Sequence, residues 1–173
     1  MGKALIVYFS SSEKGKQSSE DKVVLELEKL FSEKKFFVKK ILLESKKRLN
    51  LNEQFKQEKD LELKQGVKSI KEFDFVIIGS PLVGSFTSAP LVNSFIRTLP
   101  KFSEGENKPL FALFATGIIP GFGVKKMQSL LSMKGIKPVE TAAFTSMFEF
   151  DLKKMAEVGK FFENTLNKAE NLL

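Results

Sequence analysis

Residues Asp74 to Pro90 read DFVIIGSPLVGSFTSAP, and the class of fold turns on how this stretch is divided. Asp74 to Ser80 carries the apolar, β-branched run Phe75-Val76-Ile77-Ile78, which has the composition and length of a strand. Gly79-Ser80-Pro81-Leu82-Val83-Gly84-Ser85-Phe86 follows, and then Ser88-Ala89-Pro90, a plausible helix N-cap with an early helical proline. Leu91, Val92, Phe95, Ile96 and Leu99 recur at helical spacing beyond it. The unit is therefore strand, loop, helix. Taken alone, the loop is either a turn capped by Ser88 or one wall of a ligand site, with Pro81 fixing backbone, Gly84 allowing close approach and Phe86 offering a flat face.

The same unit recurs on both sides. Lys3 to Ser10, KALIVYFS, reads as a buried strand, and Val23, Val24, Leu27, Leu30 and Phe31 place a helix over about Ser19 to Lys34. Phe36 to Leu43 reads as a second strand, and Lys39 and Lys40 within it suit a protected sheet edge. Pro109 to Thr116 is a fourth strand, followed by a helix that carries Val124, Met127, Leu130 and Leu131 and stops at Gly135. Lys137 to Phe144 is a fifth, and Leu152 to Leu166 a closing helix with Leu152, Met155, Ala156, Phe162 and Leu166 on its stripe. Gly66 to Phe73 reads as the end of a helix packed by Val67 and Ile70. Glu44 to Lys64 is charged and sparsely apolar, and reads as loose helical turns. Strands alternating with helices predict an α/β fold with a parallel sheet, one domain over residues 1–173.

In such sheets ligands sit beyond the C-terminal strand ends, near the switch in strand order. Three loops leave those ends. SSSEKGKQSS, Ser10 to Ser19, offers hydroxyls, backbone amides, a helix N-terminus, Lys14 and Lys16, a set that holds phosphate or forms an ordinary capped loop. It lacks the P-loop spacing. The second loop is Ser80 to Ser88. The third, Thr116 to Gly123, TGIIPGFG, has glycines at 117, 121 and 123, where backbone bends or closes on something, with or without a ligand.

Composition removes much chemistry. The 173 residues contain no Cys and no His, so disulfides, thiolate nucleophiles, histidine bases and Ser-His-Asp triads are out, and redox chemistry would need a bound cofactor. The net charge is +7, carried almost entirely by Lys, with Arg48 and Arg97 the two arginines. High Lys and Glu without Cys suits a heat-adapted surface better than nucleic-acid binding, for which no motif is present. No apolar run is long enough to span a membrane, and Met1-Gly2-Lys3 leads straight into a strand, so the expectation is a cytoplasmic protein.

Together KALIVYFSSS, DFVIIGSPLVGSFTSAPLVNSFI and LFATGIIPGFGVKKMQSLLSMKG resemble the flavodoxin superfamily over the whole chain, the middle segment most specifically. The resemblance implies a three-layer, doubly wound domain with a five-stranded parallel sheet in the order 2-1-3-4-5. It implies FMN at the strand ends, with phosphate held by Ser10, Ser11, Ser12, Lys14 and Gly15. The ring would lie between Pro81, Leu82, Val83, Gly84 and Phe86 on one side and Thr116, Gly117, Gly121, Phe122 and Gly123 on the other. It implies electron transfer to a redox partner protein or a small-molecule acceptor, with or without an oxidoreductase activity of the chain's own. Two features depart from the family: a longer first loop without a Thr-Gly-Asn-Thr-like tetrapeptide, and Val83 where many relatives place Tyr or Trp. A flavodoxin-like domain that has lost tight FMN binding and serves as a binding or scaffold module is the alternative.

Overall fold

A computed structural model describes residues 1–12, 16–47, 49, 53–54, 61–67, 69–83, 87–118, 121–145 and 152–170. The strands are β1 Lys3–Tyr8, β2 Phe37–Leu42, β3 Phe75–Val83, β4 Thr87–Ser88, β5 Leu110–Gly117 and β6 Glu140–Thr145. The helices are α1 Ser19–Glu33, α2 Pro90–Thr98, α3 Gly121–Ser132 and α4 Leu152–Glu170. Five strands form a parallel sheet in the order β2-β1-β3-β5-β6. This is the expected 2-1-3-4-5 order, with one addition. The two-residue β4 folds back antiparallel on the end of β3, pairing Leu82 with Ser88 and Val83 with Thr87.

Alternation along the central strands sends side chains to two cores. Leu5 and Val7, Val76 and Ile78, and Phe111, Leu113 and Ala115 face one side, packed with α2 and α3 residues such as Phe95, Ile96, Met127 and Leu131. Ala4 and Ile6, Phe75 and Ile77, and Ala112 and Phe114 face the other, packed with Val23, Leu27 and Phe31 of α1 and Val158 and Phe162 of α4. Both faces are covered, which explains strands that read as continuous apolar runs. Fully burying each such side chain contributes about 1.5–3 kcal/mol. On the second face Phe31 meets Phe162 edge-on, with centroids 4.8 Å apart, and packs with Phe36 and Phe75.

Several boundaries differ from the sequence reading. β3 continues through Pro81 to Val83 rather than ending at Ser80. Proline is tolerated because β1 pairing stops at Tyr8 opposite Gly79, so at position 81 the neighbour is β5 alone, through Thr116. The N-cap of α2 is Ala89, without a side-chain bond, and Pro90 opens the helix as expected. Ser88 instead points its hydroxyl at Asn93 Oδ1, 2.5 Å away, and its carbonyl accepts from Asn93 Nδ2. Residues 66–73 hold a three-residue 3₁₀ turn, Ile70–Glu72, in place of a longer helix. Between 44 and 64, a bridge joins Ser45 to Leu63, tied by the Lys46–Glu62 and Lys64–Glu44 ion pairs; the rest of the expected helical turns lies largely outside the described residues. Leu152 is 89% exposed and takes no part in the α4 core stripe, which runs through Val158, Phe161, Phe162, Thr165 and Ala169.

Candidate functional site

β1, β3 and β5 all end on one side of the molecule, and the segment after β1 meets the ends of β3 and β5 there around a cleft of about 370 Å³. That volume is at the low end of the roughly 300–1,000 Å³ usual for small-molecule sites. The first wall is Ser11 and Ser12 after β1 together with Lys16 to Glu20, which enter α1. The second is Pro81 and Leu82 of β3, and the third Thr116 and Gly117 of β5.

The first wall is a helix N-terminus built from hydroxyls. Ser18 caps α1: its Oγ accepts from the Asp21 N–H at 3.2 Å, while the Asp21 carboxylate accepts from the Ser18 N–H at 2.9 Å, a complete capping box. Ser10 Oγ lies 2.9 Å from the same Asp21 oxygen, 3.0 Å from Ser18 Oγ and 2.9 Å from Ser12 Oγ, so Ser10 braces the first wall through the cap without being one of the cleft-lining residues. Tyr8, half-buried at the end of β1, faces this cluster. Burial first, and then the Asp21 carboxylate, raise its phenol above the ordinary 10.0.

Glu20 joins two walls. It is 3% exposed, and its Oε2 accepts from the Ser11 hydroxyl at 3.0 Å and the Ser11 N–H at 3.4 Å, while its Oε1 accepts from the Thr116 hydroxyl. The loop after β1 is thereby tied through α1 to the end of β5. Sequence reasoning passed over Glu20, because an acid in the first turn of a helix is already accounted for by the helix dipole. The one signal available was an acid beside a serine-rich loop in a region read as phosphate-binding.

The second wall is fixed from beneath. Ser80 Oγ accepts from the Ala89 N–H at 2.8 Å and donates to the Pro81 carbonyl at 2.9 Å, which holds the base of the β3–β4 hairpin. Leu82 then reaches across to the third wall. A β-carbon on Gly117 would sit 2.8 Å from Leu82 Cβ, and one on Gly123 would sit 2.7 Å from Leu82 Cδ2. Gly117 also has φ +150°, a conformation that other residues rarely adopt. These two glycines therefore let the end of β5 and the first turn of α3, Gly121–Ser132, close on Leu82 of β3.

Of the residues singled out in the sequence, the structure gathers Ser11, Ser12, Pro81, Leu82, Thr116 and Gly117 around one cleft. Val83 continues β3 beside them. Gly121, Phe122 and Gly123 form the first turn of α3 rather than a loop, and Phe122 is 61% exposed, with Lys125 Nζ 5.7 Å from its ring centroid. Lys14, Gly15, Gly84 and Phe86 lie outside the described residues.

The donor chemistry of the first wall fits a phosphoester. Ser12, Lys16, Gln17 and Ser19, residue types that donate to phosphate, line the same space beside the α1 N-terminus. The two carboxylates nearby, Glu20 and Asp21, already accept from protein donors. Pro81, Leu82, Thr116 and Gly117 complete the lining. Among the described residues no cluster of acids could hold a metal ion, and no helix is long and apolar enough to cross a membrane.

The whole architecture matches solved structures. Oxidised Flavodoxin 1 from Bacillus cereus superposes with a TM-score of 0.63 at 11% identity, covering 96% of this chain and 98% of that one. The chain has the flavodoxin-like fold. A short-chain flavodoxin associated with a non-canonical PDU bacterial microcompartment gives a TM-score of 0.64 at 10% identity, covering 98% and 99% of the two chains. A flavoprotein in complex with FMN from Lactobacillus acidophilus NCFM gives 0.55 at 20% identity over 93% of this chain and 99% of that one. No protein-family model and no curated protein matches the sequence.

Proposed function

We propose that the chain is an FMN-binding redox protein that exchanges electrons with a partner protein or a small-molecule acceptor. The observation that carries this reading is the cleft itself: on a flavodoxin-like fold, the loop after β1 meets the ends of β3 and β5 at the switch in strand order, with hydroxyl- and lysine-bearing residues on one wall and Pro81, Leu82, Thr116 and Gly117 on the others. Ser12, Lys16 and Ser19 would hold the phosphate, with Ser11 held in place by Glu20. Pro81, Leu82, Val83, Thr116 and Gly117 would line the ring, and the Glu20 bridge would set the spacing of the walls. When bound, FMN supplies the one- and two-electron chemistry that a chain with neither Cys nor His lacks in its own side chains. The protein's part is to bind, orient and shield that group, so no side chain need act as acid or base. The composition fits a cytoplasmic carrier, and the charge of +7 favours a dedicated partner over one built for acidic shuttles.

The same wall supports a second reading. With Glu20 and Asp21 near the phosphate end and Val83 lacking a stacking ring, the cleft would suit a different phosphate-bearing ligand, or the chain would serve as a binding module. Titration of FMN with the purified protein separates the two. Saturable quenching of flavin fluorescence with a shifted visible spectrum is expected; no quenching and no shift would leave the second reading standing.

A further inference from the structure

A second cavity lies at the other end of the sheet. It measures about 590 Å³ and opens where β5 and β6 begin, whereas the cleft described above lies where β5 ends. β5 has eight residues, which places the two sites roughly 25 Å apart. The floor and walls are apolar: Leu110 and Phe111 of β5, Ile136 and Val139 on the way into β6, and Pro109 and Pro138, one just ahead of each strand. The two prolines hold the walls at fixed φ, so the cavity is largely preformed.

Three lysines from three different segments ring this apolar space: Lys108 before β5, Lys137 before β6 and Lys168 near the end of α4. Lys108 Nζ donates to the Gly135 carbonyl at 2.8 Å, and Lys168 Nζ lies 2.7 Å from Glu140 Oε2. Glu140 faces Lys168 and the Glu106 carboxylate acts on Lys108, so three ammonium groups against two carboxylates leave the rim with a positive excess, and Lys137 is its exposed cation. The backbone, by contrast, has little to offer a ligand. Pro109 and Pro138 have no N–H, the Leu110 N–H donates to the Asp74 carbonyl, and the Val139 N–H donates to the Phe111 carbonyl. A peptide strand seeking ladder bonds would find these donors spent, so polar recognition falls to the lysines.

We propose that this cavity is a second ligand site, for a small amphiphilic anion: a compact apolar body carrying one carboxylate, sulfate or sulfonate. The body packs on Leu110, Pro138 and Val139, and the anion meets the lysine rim, where a charge-assisted bond is stronger than one between neutral groups. The site is independent of what the strand-end cleft binds.

The test uses 8-anilinonaphthalene-1-sulfonate, whose emission rises on entering an apolar site, added to the full chain with and without excess FMN. One saturable site is expected, unchanged by FMN, displaced by dodecanoate and not by dodecyltrimethylammonium. Lys137→Glu, at an exposed position, should weaken the probe at least about tenfold. Val139→Trp should occlude the cavity and abolish binding, with circular dichroism confirming that both variants fold. Four results would each overturn the proposal: no saturable binding, displacement by FMN, equal displacement by the cationic amphiphile, or binding that survives both substitutions.

Discussion

Glu20 and Thr116, 96 residues apart, share a buried hydrogen bond that ties the N-terminus of α1 to the end of β5. The carboxylate also holds Ser11, so its removal strands donors on two walls of the cleft at once. Glu20→Ala should cost about 1–3 kcal/mol, since a buried donor without an acceptor loses its hydration with no return. For a chain of this size the thermal midpoint should fall by roughly 2–12 °C. Glu20→Gln keeps one acceptor oxygen and should lose less. Thermal unfolding followed by circular dichroism checks the order; an alanine variant as stable as the parent would mean that the bridge does not hold the walls.

Gly79 and Gly159 make opposite predictions for the same substitution. On β3, a β-carbon at Gly79 would lie 2.1 Å from Phe114 Cζ, within the ring that packs over the strand. Phe114 is fully buried and has little room to retreat. Gly79→Ala should therefore destabilise by about 1–3 kcal/mol through overpacking. Gly159 lies inside α4 with nothing within 4 Å of the position a β-carbon would take. Gly159→Ala should stabilise by roughly 0.5–1 kcal/mol, because the helix no longer has to order a glycine. Urea denaturation gives both midpoints: one for Gly79→Ala at or above the parent's would contradict the packing of Phe114 over β3, and one for Gly159→Ala below the parent's would contradict the open space beside α4.

Most of the architecture was legible because strands buried on both faces cannot hide. KALIVY, FVII and LFALFA are continuous apolar runs, and the helices between them have clear stripes, so the order of elements followed. The features that escaped depend on distant contacts. Pro81 reads locally as the start of a loop, and only the early end of β1 explains why β3 carries it. Ser88 has the composition of a cap, yet it is drawn into β4 and the Asn93 pair. Leu152 fits the α4 period but precedes the part of the helix that meets the core. Residues from the three segments singled out by composition do line one cleft. Composition could not show that Ser10 braces the Asp21 cap, or that Glu20 reaches Thr116, since the direction of a side chain is set by the far side of the fold.

Tyr8 makes the alkaline limb of stability testable, because it is the single tyrosine in a chain without tryptophan. Burial and the Asp21 carboxylate raise its pKa in the folded protein above the unfolded value of 10.0. The unfolded chain thus loses this proton first. The stabilisation linked to Tyr8 is complete below about pH 10 and is lost as pH rises from there through the folded pKa. Absorbance at 295 nm should titrate with a midpoint above 10.0, and Asp21→Asn should lower it. Tyr8→Phe should lack this component of the alkaline loss. A native titration midpoint at or below 10.0 would contradict the packing of the phenol against Asp21.

Val83 is the position at which the proposed ring site can be read most directly. It ends β3, pairs with Thr87 across the hairpin and follows Pro81 and Leu82 of the cleft wall. Tyrosine is a good strand residue, so Val83→Tyr should not disturb the hairpin. If the FMN ring lies against this wall, the added aromatic face contributes about 0.5–1.5 kcal/mol beyond area burial. That corresponds to a dissociation constant lower by roughly two- to twelvefold. Val83→Leu adds apolar area without a ring and should gain less. Flavin fluorescence titrations of the three proteins, at one salt concentration, make the comparison. Equal affinities for all three would move the ring away from β3 while leaving the phosphate wall, and the fold that builds it, untouched.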